Sequence, residues 1–378
     1  MKQTSSSQTP EYGVTLRAVI IGLLLIPVNT YFIMANVLNY WSTMSTIISL
    51  IYNVVITLTA LVVLNLLIQR FLPGFALKQG EFLTIYIMLS VSSAVAGHDM
   101  IQHIVPTIPH AFWFATPENE WGELFWKYLP KWLTIDSTTS LRGFYKGGSS
   151  FHTALHLRAW LIPLLWWTTF LTVLVWIMVC LNAILRKQWV ERERLTYPII
   201  RLPLEITRPK GIFFRSKAMW IGFSIAGGIH LVNGLNAIYP SLPLIPMRTA
   251  NLGQYFTEKP WNAMGWTPLY ILPFAVGIGF LMPSEMSFSL WFFYLFWKGQ
   301  RILGSALGLH SLPEFPYEGP QGVGAFLAIA LFALVGGRQH LFAILRGLLG
   351  SQSRRERYRW AVFGLIGGFY TNSPTAES

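Results

Sequence analysis

Few residues in this chain can do chemistry inside an otherwise apolar sequence, and Glu285 is the first of them. It follows Pro283 and Ser284 in the middle of the apolar run Thr267–Trp297. A carboxylate there can carry a proton or a cation, because partial desolvation raises its pKa toward neutrality. The alternative is a cap, since a carboxylate is favoured by the dipole at the start of the next helix. Lys298 and Arg301 come next, one helical turn apart, and are suited to an anionic group of a solute. His98 and Asp99 form a second proton-binding pair. His230 and Asn233 share one face with Gly234 at i, i+3 and i+4, which serves either close helix packing or the approach of a substrate. No metal site is read: in HDMIQH, the residue four after His98 is Gln102 rather than a second histidine. HExxH, GxSxG and convergent carboxylate pairs are all missing, so an enzyme is not expected, and no cofactor is called for.

The elements that must position these residues are membrane helices. The chain is 53% hydrophobic and only 12% charged, with 16 tryptophans and a mean hydropathy of +0.46, which is far from the balance of a water-soluble domain. The expectation is an all-α, polytopic integral membrane protein with about eight transmembrane helices, a partial ninth and one aromatic-rich outer insertion. A net charge of +12 raises the question of nucleic acid. The positive residues gather in loops between apolar spans, however, where topology and anionic lipid account for them, so nucleic acid is not an expected partner. Cys180 is the only cysteine, which excludes an internal disulfide framework.

In chain order, residues 1–13 are a polar cytosolic tail, disordered by composition. Residues 14–105 hold a first three-helix membrane unit: Val14–Leu38 with Arg17 at its inner edge, Ser45–Phe71, and Phe82–Val105. Asn29 and Asn36 lie on one face of the first helix, as glue to a neighbour. Residues 106–157 form the extracytoplasmic insertion, whose charges cancel and whose Trp113, Trp121, Trp126 and Trp132 suit either a membrane-interface cap or a ligand clamp. Residues 158–185 are the fourth helix. Residues 186–217 form a basic cytosolic hinge, broken by Pro198 and Pro203 into short helical pieces, either a lipid-headgroup contact or a gating element.

Residues 218–337 are the second membrane unit. As one helix, Thr267–Trp297 would run about 46 Å, well beyond a hydrocarbon core of about 30 Å, so a break is expected near 283–285. If the break reverses the chain, Gln321–Gly337 returns inward and the basic loop 338–359 is cytosolic. Lys298 and Arg301 then fall partway through a span, where a charge costs about 2.5–3.5 kcal/mol. Residues 360–378 read as an aborted helix, WAVFGLIGGFY, and a polar tail, the mark of a product truncated before its last helices.

The opening TLRAVIIGLL with Asn29 and Tyr31, the run LKQGEFLTIYIMLSVSSAVAGHD, and RERLTYP after the fourth span together resemble the oligopeptide transporter superfamily, which includes the yellow-stripe-like metal-chelate carriers. The similarity covers about residues 14–103 and 186–309 and is greatest to an uncharacterised prokaryotic branch. It implies a secondary-active, proton-coupled carrier of a small peptide-like or metal-chelate solute, lying multi-pass in the plasma membrane with a cytosolic amino terminus. The expected partners are then the lipid bilayer, the solute and protons; no oligomeric state follows. The outer insertion and the Pro198–Pro203 run depart from the family pattern and leave the substrate open. The alternative is a non-transport membrane scaffold or a subunit of a membrane complex.

Overall fold

The computed structural model describes residues 13–40, 46, 50–98, 100–193, 197–309, 312–349 and 356–372. Over these residues the chain is almost wholly helical, with one two-stranded ladder. Six helices are long and apolar enough to cross a membrane: those within Leu16–Val37, Tyr52–Phe71, Gln79–Trp113, Ala154–Arg192, Lys217–Ile238 and Glu318–Ile344. The chain divides into two compact units, one of Met1–Ala94 with Thr196–Leu327, the other of Val95–Leu195 with Ala328–Ser378.

The first unit begins with α1 (Leu16–Tyr40), α2 (Tyr52–Phe71) and α3 (Gln79–Ala96). Ala18, Val54, Ile85 and Leu89 form their shared core. A Cβ on Gly22 would come within 2.6 Å of Met88 Sδ, so this glycine sets how closely α1 and α3 approach. Midway along, Asn29 Nδ2 donates to Ser93 Oγ at 2.8 Å and Asn53 Nδ2 donates to Asn29 Oδ1 at 2.7 Å, with all three residues buried. Asn29 therefore does bridge helices, while among the described residues Asn36 bonds its own helix at Phe32 O. At one end of the trio Arg17 grips Glu81 with two bonds, 3.1 Å from Nε and 2.6 Å from Nη2. Thr15 Oγ1 and the Lys78 amide also donate to Glu81, so a carboxylate only 3% exposed is fully satisfied.

The hinge contributes α7 (Pro198–Ile206), which starts on Pro198, a position where the missing N–H has no partner to lose. Ile206 packs into a core with Leu58, Val62 and Phe82, worth about 2 kcal/mol for that side chain. Gln79 Nε2 donates to Leu204 O at 3.1 Å, which fixes the hinge to the start of α3. Next come α8 (Lys217–Ile238), the antiparallel pair β1 (Arg248–Asn251) and β2 (Pro268–Tyr270), α9 (Pro273–Leu281) and α10 (Ser284–Ala306).

In the second unit, α4 (Ile101–Trp113) and α5 (Thr138–Lys146) pack on the first turns of α6 (Ala154–Lys187) around Ile108, Ile135, Leu141 and Trp160. The helix that the sequence reading ends at Val105 thus stops at Ala96, breaks, and resumes through Pro106 and Pro109 to Trp113. Burial of Ile108 and Pro109 in this core outweighs the helix-breaking preference of the two prolines. The tryptophans of the insertion are knitted to their own surroundings. Trp113 stacks on Tyr145 with centroids 4.7 Å apart, Trp126 Nε1 donates to Ala111 O, and Trp132 meets Trp166.

The far half of α6 packs against α12 (Glu356–Asn372) and the latter part of α11 (Glu318–Leu349), with Cys180, Ile184, Ile344 and Ala361 buried together. The segment read as an aborted helix is thus part of a helix of 17 residues, about 25 Å long, seated on α6 through Gly364 and Gly368. The polar tail beyond it, from 373, lies outside the described residues, as do residues 1–12 of the amino-terminal tail.

Candidate functional site

The apolar run Thr267–Trp297 is broken between α9 and α10 by Met282 and Pro283, both extended. Pro283 has no amide hydrogen to carry the ladder across, and the residue before it is pushed out of the helical region. The break is a reversal of the chain. Lys298 Nζ donates to Met264 O at 3.0 Å and to Trp266 O at 2.9 Å, so the two ends of the run meet. A single helix over the same residues would hold them about 46 Å apart. The chain therefore leaves the loop layer 239–272, turns at Pro283 and returns to its starting level.

That loop layer is built by side chains that replace regular secondary structure. Asn233, on α8, donates from Nδ2 to Ile245 O at 2.9 Å and accepts from Ile245 N at 2.8 Å. Asn236 Nδ2 reaches Leu242 O at 2.6 Å. Asn251 accepts from the amides of Gly253 and Thr267, which closes the β1–β2 turn. Gly265 has a φ of +63°, in the left-handed region, and the Arg301 guanidinium lies within 3.8 Å of where its Cβ would be. An alanine there would be strained by that φ, while its methyl group would only touch the arginine.

Lys298 is only 3% exposed. Two of its N–H groups face the carbonyls, and the ammonium also lies 4.1 Å from the Trp297 ring centroid and 5.5 Å from that of Tyr294. Its charge is thereby balanced at contact distance by carbonyl dipoles and ring faces, with the Glu318 carboxylate acting from further away. The sequence reading puts Lys298 partway through a span; the contacts place it level with Met264 and Trp266, where the arm re-enters the loop layer. Arg301, half-buried, lies over the Trp297 ring at 5.7 Å and makes no hydrogen bond among the described residues. Of the two cations, it is the one with all its donors left for a solute.

Glu285 is exposed in the first turn of α10, beside the reversal. Thirteen residues of helix separate it from Lys298, about 20 Å, so the carboxylate and the two cations occupy opposite ends of one helix and do not share a site. His230 is exposed on α8, whose residues are nowhere buried, while its neighbour Asn233 is committed to Ile245. His98 lies in the break between α3 and α4, with its ring against that of His103 at 4.6 Å. Asp99 lies outside the described residues. No group of three metal-ligating side chains occurs among the described residues.

Two arrangements escaped the sequence reading. One is the Asn29–Asn53–Ser93 cluster, where Asn53 Oδ1 is buried with no partner among the described residues; polar residues at heptad-like spacing marked Asn29 but gave no partner for it. The other is Arg17–Glu81, in which both residues are visible as charges flanking apolar spans but are 64 positions apart. Among curated proteins and among solved structures nothing matches the chain at a significant level. Across residues 8–372 the sequence matches the family described as "Family of unknown function (DUF6785)", and the chain belongs to that family.

Proposed function

We propose that the chain is a multi-pass plasma-membrane protein that carries a small peptide-like or metal-chelate solute by secondary transport coupled to protons. The observation that supports this most directly is the reversal at Pro283, a broken helix within an apolar run whose ends are pinned by Lys298. Interrupted helices supply backbone dipoles and polar groups at membrane depth, and carriers bind their cargo at such places. Beside the six long apolar helices, α9 is nine residues long, about 14 Å, and reaches only partway into a core of about 30 Å, so in this reading the reversal enters and leaves from one side. The excess of Lys and Arg in the hinge 186–217 and in residues 338–359, expected as a loop but of which 338–349 continue α11, supports a cytosolic place for both. Glu285 serves as the proton-carrying carboxylate at the reversal, and Arg301 receives an anionic group at the other end of α10.

The test is uptake by the purified chain in sealed liposomes with an imposed pH gradient, offering short peptides and chelated metals in parallel. Solute-dependent proton entry, read by a trapped pH dye, is the expected result; Glu285→Gln should reduce it at least tenfold and flatten its pH dependence. Uptake that ignores both the gradient and this substitution removes Glu285 from the mechanism, and no uptake of any solute removes the carrier reading.

One observation favours the second reading, a scaffold or a subunit of a membrane complex. The apolar windows of α8 and α11 are 0% buried, and α8 presents His230 and three glycines on its unpartnered surface. A helix with such polar and small residues is suited to pack against another protein helix. Recovery of the chain from membranes in a stable hetero-complex, with no uptake after reconstitution, supports that reading over transport.

A further inference from the structure

The second unit contains a cavity of about 290 Å³ between α5, the first turns of α6 and the loop joining them. None of its lining residues belongs to the α9–α10 reversal. Its walls are Phe144, Phe151, Trp160, Val105 and Leu164, and the side chains that line it include no Asp, Glu, Lys or Arg. Trp160 is buried, with Phe144 at 5.1 Å and Phe151 at 6.5 Å between centroids, while the two phenylalanines are 43% and 48% exposed and so form the mouth.

One imidazole turns this apolar hollow into a site. His156 is only 9% exposed. Its Nδ1 lies 3.1 Å from Ser150 O and also faces Thr153 Oγ1. The tautomer that satisfies Ser150 O, which can only accept, carries its hydrogen on Nδ1 and leaves Nε2 as an acceptor; the Thr153 hydroxyl is compatible with either tautomer. Nε2 has no hydrogen-bond partner among the described residues. A Cβ on Gly143 would overlap Ser149 Oγ and lie 2.9 Å from Ser149 Cβ and 3.2 Å from Nε2, so the glycine in α5 makes room for the Ser149 side chain beside the imidazole.

From these features we propose that this cavity binds a small, neutral, one- or two-ring molecule bearing a single N–H or O–H donor, of the indole or phenol class. The aromatic walls provide stacking surfaces for a flat ring. His156 Nε2 accepts from the donor, and the hydroxyl of Ser149, also in the lining, is the second polar contact. A charged ligand would lose its hydration without gaining a counter-charge. The volume lies just under the roughly 300–1,000 Å³ of small-molecule sites, too small for a peptide, so the site is separate from the proposed transport cargo.

The experiment uses the purified full-length chain in detergent, with indole and 1-methylindole as probes, followed by saturation-transfer NMR and calorimetry. The two probes share a ring system, but the second has no donor and partitions more strongly into micelles. Indole should bind at least tenfold more tightly than 1-methylindole, since the latter leaves Nε2 buried and unpaired. His156→Phe should abolish that difference. Equal affinity of the parent chain for the two probes overturns the proposal; should His156→Phe fail to fold, that comparison still decides it.

Discussion

A buried lysine is tolerable only when its donors are engaged, and Lys298 meets this condition with no salt bridge among the described residues. Two carbonyls and the Trp297 face surround its ammonium group. Replacing it by Met keeps the length of the side chain but leaves Met264 O and Trp266 O without their donor. Lys298→Met should therefore cost about 2 kcal/mol, measured as a lowered unfolding midpoint in detergent, and should loosen residues 261–267 to proteolysis. Arg301→Ala removes a guanidinium that makes no hydrogen bond among the described residues, so it should leave that midpoint within about 0.5 kcal/mol of the parent while lowering uptake of an anionic solute. An equal loss of stability in both variants would show that the two cations act together as a structural pair. The sequence revealed both residues as charges in an apolar run. It did not distinguish them, because a carbonyl partner leaves no trace in composition.

The same logic governs the elements. Asn65 bonds both the amide and the carbonyl of Leu77, and Asn233 bonds both groups of Ile245, each twelve residues onward. In each case a helical asparagine takes the place of a strand partner and folds the following loop back along its own helix. On α9 and α10 the equivalent closure is made by Lys298. Spin labels at Trp266→Cys and Leu303→Cys, in a Cys180→Ser background, test this reversal directly. Trp266 contributes only its carbonyl to the clamp and its ring is 65% exposed, so the label is tolerated. The separation should be under about 25 Å, against about 55 Å for one continuous helix. The length of the apolar run predicted a break; only the meeting of its ends decided that the chain reverses there and does not merely kink.

For the molecule as a whole, the proposed topology is tested through its Lys/Arg-rich stretches, since it puts the hinge 186–217 and residues 338–359 together in the cytosol. Impermeant maleimide applied to intact cells should label a cysteine at Lys127, in the insertion, and leave one at Glu191 unlabelled until the membrane is opened. Glu191 is exposed in the turn that ends α6, whereas Thr207 is buried and bonded to Pro203 O and would resist labelling on either side. Labelling of Glu191→Cys from outside would invert the arrangement and move Glu285 to the opposite face.

By itself the sequence determined the class of the protein and the places where its chain must break. Hydropathy selected the long helices, since a helix that must bury its backbone in lipid needs a sustained apolar run. Pro198 and Pro283 marked helix starts, because proline cannot donate. Pro106 and Pro109 carried the same signal, yet tertiary packing of Ile108 overrode it. What the tertiary structure alone decided are the partnerships across distance: Arg17 with Glu81, Asn29 with Asn53 and Ser93, and Lys298 with Met264 and Trp266. It also separated Glu285 from Lys298 by a helix length and left His156 Nε2 facing a cavity. These outcomes depend on which polar groups meet in space, and spacing along a chain fixes neighbours only within a turn or two of helix.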